Sequence, residues 1–385
     1  MQSFIDKLST FEHRLSGSTQ NRKAVESIRD TFKGYGFDTK LEEFRVPGTM
    51  FSRILTSIIL LFIIFFLLQD FYLISLILYI FLLISLWGEL NFSFNLLSSF
   101  FPGHKSVNLE AKPDSDSESL RRIIVVAHHD SPKTGLIYNV ADWLAPKQAK
   151  APEPFNRMFV LPYLAAVCLG FIILFRPYHL SGWILIAPTV ASIIIVLVIL
   201  FIMLNMVFSE NSPGANDNGS GLIVLMELTR RFSGMDREHI PATFLSTGAE
   251  EVGLTGIKNY IKQHPELDKS NTLFINFECL GGGTLHWAIG EYYFTKVDYP
   301  QKGIEFIEEM EAKNIIPVLP KVRLISPTDA SPLAKNGFNV VTLIGLNKGV
   351  VPSNYHRVSD TFDKLDCTLL SKSTDIVESI IRNFN

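Results

Sequence analysis

The chain has 385 residues, 47% of them hydrophobic and 19% charged, with a formal net charge of −3 and a mean hydropathy of +0.23. That length suits one large α/β domain or two smaller ones, and the absence of a basic excess argues against a nucleic-acid partner. Cys168, Cys279 and Cys367 are scattered and odd in number, which points to neither a disulfide framework nor a thiolate zinc knuckle.

The N-terminus lacks the basic stretch and apolar core of a signal peptide, so the first fifty residues are expected to stay on the side where they are made. Residues 4–36 carry Ile5, Leu8, Phe11, Leu15, Val25, Ile28 and Phe32 at helical spacing, interrupted by Gly17-Ser18. A strand-like stretch with Leu41, Phe44 and Val46 follows.

Four long apolar runs come next, at 54–68, 71–87, 158–175 and 183–208. Each approaches or exceeds what crosses a hydrocarbon core of about 30 Å. Gln69-Asp70 separates the first two and Arg176-Pro177-Tyr178-His179 the second two, so the expectation is four transmembrane helices inserted as two hairpins. No run has an ionisable residue in its interior, which weighs against an intramembrane protease, a pump or a channel; Asn205 is the main polar exception. Two hairpins would leave all polar segments on one side. That side carries Arg45, Arg53, Lys105, Lys147, Lys150 and Arg157, against Arg176, Asp70 and His179 opposite. The positive-inside bias then predicts a four-span integral protein of the cell membrane with its polar domain cytoplasmic.

From about residue 120 the polar portion reads as α/β. Ile123-Ile124-Val125-Val126-Ala127 suits a strand buried on both faces. Helices are expected at 221–232 and 256–263, and strands at 243–246, 272–277, 322–325 and 340–344. This alternation favours a mixed, mostly parallel sheet covered by helices. The stretch 114–119 reads as a polar loop.

Polar clusters punctuate these elements. His128-His129-Asp130 follows the buried strand, and the period of two puts His128 and Asp130 on one side at its C-terminal end. His129 points the other way, toward packing or the surface. A His with a carboxylate two residues on suits either a metal-bound imidazole or a structural pair. Pro213 to Gly221 forms a tight polar loop whose carboxylate, Asp217, could cap a helix or bridge two cations. Glu250-Glu251 places two carboxylates side by side, which is costly unless cations compensate them or the pair is solvated. One could bind metal while the other handles protons. Glu278 and His356 are uninformative singly.

Taken together, AHHDS, PGANDNGSG, GAEEVGLTG, NFECLGG and YHRVSDTFDKLD resemble the M28 family of zinc aminopeptidases. The resemblance covers the polar N-terminal segment and most of 105–385, with the hairpins as insertions. It implies a peptidase domain made of 1–50, 91–157 and 209–385, with hairpins at 51–90 and 158–208. It implies two divalent ions, zinc in typical members, bridged by a carboxylate and a water. Carried onto this chain, His128, Asp217, Glu251, Glu278 and His356 are the ligands and Asp217 bridges. Asp130 orients His128, and Glu250 is the general base. The family usually has Asp at the position of Glu278, a departure that bears on metal spacing or choice; the intact His128 argues against the glutaminyl-cyclase branch.

The implied activity is hydrolysis of N-terminal peptide bonds. A non-peptidase hydrolase or acyl transferase on the same site, or a catalytically silent relative, are the alternatives. Nine residues separate the end of the fourth run, Phe208, from Asp217. That connection reaches no more than about 30 Å, so short, apolar or membrane-associated peptides are the expected substrates and the lipid bilayer the expected surroundings.

Overall fold

The computed structural model describes residues 1–67, 71–94, 96–113, 122–136, 182–235, 242–292, 294–347 and 351–384, with a few positions between 138 and 170. Two helices open the chain, α1 (Gln2–Leu8) and α2 (Thr19–Gly34). The Ser18 side chain accepts the Asn21 N–H at 3.0 Å and so caps α2, which explains the break in the apolar pattern there.

The sheet has nine strands: β1 (Phe37–Val46), β2 (His104–Pro113), β3 (Arg122–His128), β4 (Ala242–Thr247), β5 (Thr272–Glu278), β6 (Thr284–Tyr292), β7 (Lys296–Asp298), β8 (Lys321–Leu324) and β9 (Asn339–Leu346). Their order is β1-β2-β4-β3-β5-β9-β6-β7, with β8 beside β6. The middle, β4-β3-β5-β9, is parallel. The flanks are antiparallel except for the β6–β8 pair.

Side-chain alternation along the strands builds both faces of the core. Ile123, Val125 and Ala127 pack in one cluster with helix α6 (Ser220–Phe232) and the C-terminal helix α10 (Cys367–Arg382). Ile124 and Val126 pack in the other with α7 (Thr255–Gln263), α8 (Gln301–Ala312) and α9 (Ala330–Lys335). The chain leaves β3 toward β4 on one side and crosses to β5 on the other. The crevice at the C-terminal ends of β3 and β5 is therefore a topological switch point, where open α/β sheets hold ligands.

The apolar runs require a correction. The first two form a helical pair, α3 (Met50–Leu67) and α4 (Tyr72–Leu90), and the fourth lies in α5 (Gly182–Phe208). The third run lies almost wholly outside the described residues, as does the 114–119 loop. Among the described residues, one helix, Tyr72–Leu90, is long and apolar enough to cross a membrane, not four. Run length alone does not separate a spanning helix from one packed on its neighbours. Here Ile54, Ile58 and Leu61 of α3 bury against Tyr79, Leu82 and Leu86 of α4. The pair grows from the end of the β1–β2 ladder and is fastened to the domain at its base. The Arg53 guanidinium donates to both carboxylate oxygens of Glu89, at 2.7 and 3.0 Å, and to the carbonyl of Pro47. Thr295 donates to the Asn91 side chain at 2.6 Å and Lys335 to its carbonyl.

Candidate metal centre

Five loops at the C-terminal edge of the sheet bring the acidic and imidazole side chains together. His128 is the last residue of β3 and Glu278 the last of β5. Glu250 and Glu251 follow β4, and Asp217 sits in the turn Ala215–Gly219 that leads into α6. His356 comes from the loop after β9, with a φ of 53°.

Asp217 is the hub. Its Oδ1 lies 3.3 Å from Nε2 of His128, and its Oδ2 lies 3.1 Å from Nε2 of His356. Glu278 Oε2 stands 3.6 Å from the same nitrogen of His128, and Glu251 Oε2 stands 3.5 Å from that of His356. Two trios result, His128/Asp217/Glu278 and His356/Asp217/Glu251, in each of which the ligand atoms lie within 4.8 Å of one another. Two ligands on tetrahedral zinc, with bonds near 2.0–2.1 Å, are separated by about 3.3 Å, close to the 3.1–3.6 Å separations found here. Asp217 Oδ2 and Glu251 Oε1 are buried without a hydrogen-bond partner. A nitrogen-and-oxygen donor set, with buried acceptors awaiting a cation, fits zinc.

The electrostatics agree with that fit. Burial pushes the carboxyls of Glu250 and Glu251 well above the ordinary range, and neighbouring carboxylates push them further. Burial also raises Glu278. For Asp217, burial acts upward but the imidazoles of His128 and His356 outweigh it and hold the group ionised. For His128, burial acts downward, yet Glu250 and the carboxylates of Asp130, Asp217 and Glu278 carry its pKa well above the usual imidazole value. So much buried negative charge is stable only with positive charge among it.

Asp130 stands beside His128, but differently from expectation. Its backbone carbonyl is the close partner of His128 Nδ1, at 3.0 Å, while its carboxylate Oδ1 lies 3.7 Å away. The carboxylate instead accepts the backbone N–H groups of Glu250 and Glu251, each at 3.1 Å. It therefore ties the strand that carries His128 to the loop that carries both glutamates. His129 is buried, with Nδ1 3.0 Å from the Ser246 hydroxyl; burial lowers its pKa to about 4, so it serves packing as a neutral ring.

Three further residues support the ligands. The Asp360 carboxylate accepts the backbone N–H of Asn216 at 2.8 Å and of Asp217 at 3.0 Å. Arg14 is fully buried and donates to the carbonyls of His129, Pro213 and Gly214 at 3.0, 2.9 and 2.6 Å, joining the two ligand loops. Asn276 donates to Glu278 Oε1 at 3.3 Å. Asp360 and Asn276 lie within quoted motifs, where Asp360 could have been flagged as a buried acid in a turn; Arg14 gives no such signal.

Residues 203–381 match the profile of Peptidase family M28, a stretch that includes every site residue above except His128, Asp130 and Arg14. The chain is similar to Aminopeptidase YwaD of Bacillus subtilis (strain 168), at 37% identity over 91 residues, covering 23% of this chain and 19% of that protein. It thus spans about a fifth of the length of that curated relative. Among solved structures, a Zn-dependent exopeptidase from Parabacteroides distasonis ATCC 8503 superposes with a TM-score of 0.53 at 12% identity, covering 99% of this chain and 96% of that one. A glutaminyl cyclase from Bacteroides thetaiotaomicron bound to N-acetylhistamine gives a TM-score of 0.56 at 12% identity, with coverage of 99% and 96%. The fold is therefore the mixed α/β sandwich of zinc exopeptidases, which glutaminyl cyclases share.

Proposed function

We propose that this protein is a membrane-associated metallo-aminopeptidase that hydrolyses N-terminal peptide bonds with two zinc ions. One observation carries the proposal: Asp217 turns one carboxylate oxygen to each of two imidazoles, and a further glutamate completes each trio. The match of residues 203–381 to a peptidase family, and the likeness to an aminopeptidase over 91 residues, support the same chemistry.

In this assignment His128 and Glu278 would hold one ion, His356 and Glu251 the other, with Asp217 placed between the two trios. When bound, two such ions supply an acidified water and polarise the scissile carbonyl. Glu250 belongs to neither Asp217 trio, although it can share a third grouping with His128 and Glu251. It would be the base, able to hold a proton at its carboxylate and pass it to a leaving amine. Asp130 and Arg14 keep the ligand loops in register.

Association with the bilayer rests on exposed apolar faces. Leu73 and Ile77 of α4 are 69% and 66% exposed, and Phe201 of α5 is 63% exposed, among many similar neighbours. Exposed apolar side chains gathered in a patch mark interaction or membrane-facing surface. Arg45, Arg53 and Lys105 lie near the apolar segments in sequence, and a positive-inside bias there favours a cytoplasmic metal centre. The peptidase domain is then one unit, interrupted by apolar insertions at 51–90 and 158–208.

The test is direct. Purified protein in detergent should release single N-terminal residues from peptides; a chelator should abolish the release and zinc restore it. Ammonia release from N-terminal glutamine, without peptide cleavage, would reject the peptidase function in favour of cyclase chemistry.

A further inference from the structure

Residues 133–136, just after the first metal motif, are bound to the end of α5. The Asn205 side-chain oxygen of α5 accepts the Leu136 N–H at 2.8 Å. Lys133 Nζ donates to the Val207 carbonyl at 3.0 Å, the Thr134 N–H to the Glu210 carbonyl at 3.1 Å, and the Ser209 hydroxyl to the Thr134 carbonyl at 2.6 Å. Two residues beyond Leu136, Tyr138 lays its ring against His356, with centroids 4.2 Å apart and planes tilted by 54°. Tyr355 meets the ring of Tyr138 edge-on at 6.2 Å and that of His356 at 4.0 Å. Three rings thus form an aromatic corner beside the His356/Asp217/Glu251 trio.

We propose that Tyr138 is a specificity-determining residue, the wall against which an aromatic or aliphatic side chain of the substrate's N-terminal residue packs. Asn205 is the positioning residue that holds it there. The inference rests on the aminopeptidase function proposed above. A substrate residue bound beside His356 would bring its side chain toward the Tyr138 ring, whose centroid lies 4.2 Å from that of His356. Leu136 and Val358, two residues from Tyr138 and His356 in the chain, are half exposed. Glu250 and Glu251 nearby disfavour an acidic side chain in the same place.

The experiment uses the full chain in detergent and aminoacyl substrates bearing Phe, Leu, Ala or Asp. Wild type should favour Phe and Leu. Tyr138→Ala should lower kcat/KM for Phe and Leu by roughly tenfold or more, mainly through KM, while Ala falls far less. Tyr138→Phe keeps the ring and should keep the order of preference. Asn205→Leu, which removes the acceptor, should flatten the preference as Tyr138→Ala does, and Asn205→Asp, which retains an acceptor, should preserve it. Zinc stoichiometry, measured on every variant, reports an intact centre. An equal loss on all four substrates in Tyr138→Ala, or an unchanged preference in both disruptive variants, overturns the proposal. Failure of wild type to cleave any of the four would instead defeat the peptidase function itself.

Discussion

The carboxylate of Asp360 accepts the backbone N–H of Asp217 at 3.0 Å, across 143 residues of chain. The same carboxylate accepts the Asn216 N–H at 2.8 Å, so both amides that precede the hub side chain are fixed by one group. Support of this kind around a metal ligand is worth about 10–100-fold in metal affinity. Asp360→Ala should weaken zinc binding by that order and lower activity at limiting zinc, with recovery when zinc is raised. Titration calorimetry checks it; unchanged affinity would mean that the turn holds its shape without the carboxylate.

Glu250 and Glu251 are adjacent in sequence but differ in what they face. Glu251 lies 3.5 Å from His356 and joins Asp217 in a trio; Glu250 does not join that trio. Glu250→Gln removes the proton acceptor and keeps the shape, so kcat should fall by about 10²–10⁴-fold. Metal content, measured by elemental analysis, should stay close to two ions per chain. Loss of metal together with activity would show that the roles of the two glutamates are reversed.

Much of this site was legible because its residues stand where elements end. The run 123–127 alternates between two core clusters, and that alternation, continued, delivers His128 to the crevice and His129 to packing. What stayed hidden acts through backbone contacts. Arg14 reaches three carbonyls from an N-terminal segment with no motif of its own. Asp130 was expected to hold His128 by its carboxylate, but two backbone amides claim that group and the carbonyl serves instead. Strand β2 was missed because polar residues such as Asn108, Glu110 and Lys112 interrupt it; Glu110 is buried under the Tyr260 hydroxyl at 2.6 Å. For the apolar runs, hydropathy gave length and composition, whereas exposure depends on which faces pair, as Ile58 and Leu86 do.

Glu291 predicts a pH effect outside the centre. It is buried on β6, accepts hydroxyl hydrogen bonds from Tyr299 at 2.7 Å and Thr328 at 2.6 Å, and burial raises its pKa to about 7. A carboxyl raised on folding is favoured in its neutral form. Its contribution is therefore full below the unfolded value of 4.5 and is lost as pH rises through about 7. Glu291→Gln removes this dependence. Relative to wild type, its stability should improve by up to about 3 kcal/mol between pH 4 and pH 8. Denaturant midpoints across that range check it, and a constant difference between the two proteins would contradict it.

Glu278 offers the sharpest test of how the two ions are divided. Its Oε2 faces His128 at 3.6 Å while Asn276 steadies Oε1 at 3.3 Å, so the longer side chain is spanned by partners at both oxygens. Glu278→Asp retracts the carboxylate by about 1.5 Å, one C–C bond, away from the point it shares with His128 and Asp217. The trio of Asp217, Glu251 and His356 does not include Glu278. The variant should therefore lose the ion on the His128 side first, with stoichiometry falling from two toward one at a zinc level that saturates wild type. Peptide release should fall with it and return as zinc is raised. Equal weakening of both ions would mean that the two halves bind as one unit through Asp217, and unchanged stoichiometry would remove Glu278 from the ligand set.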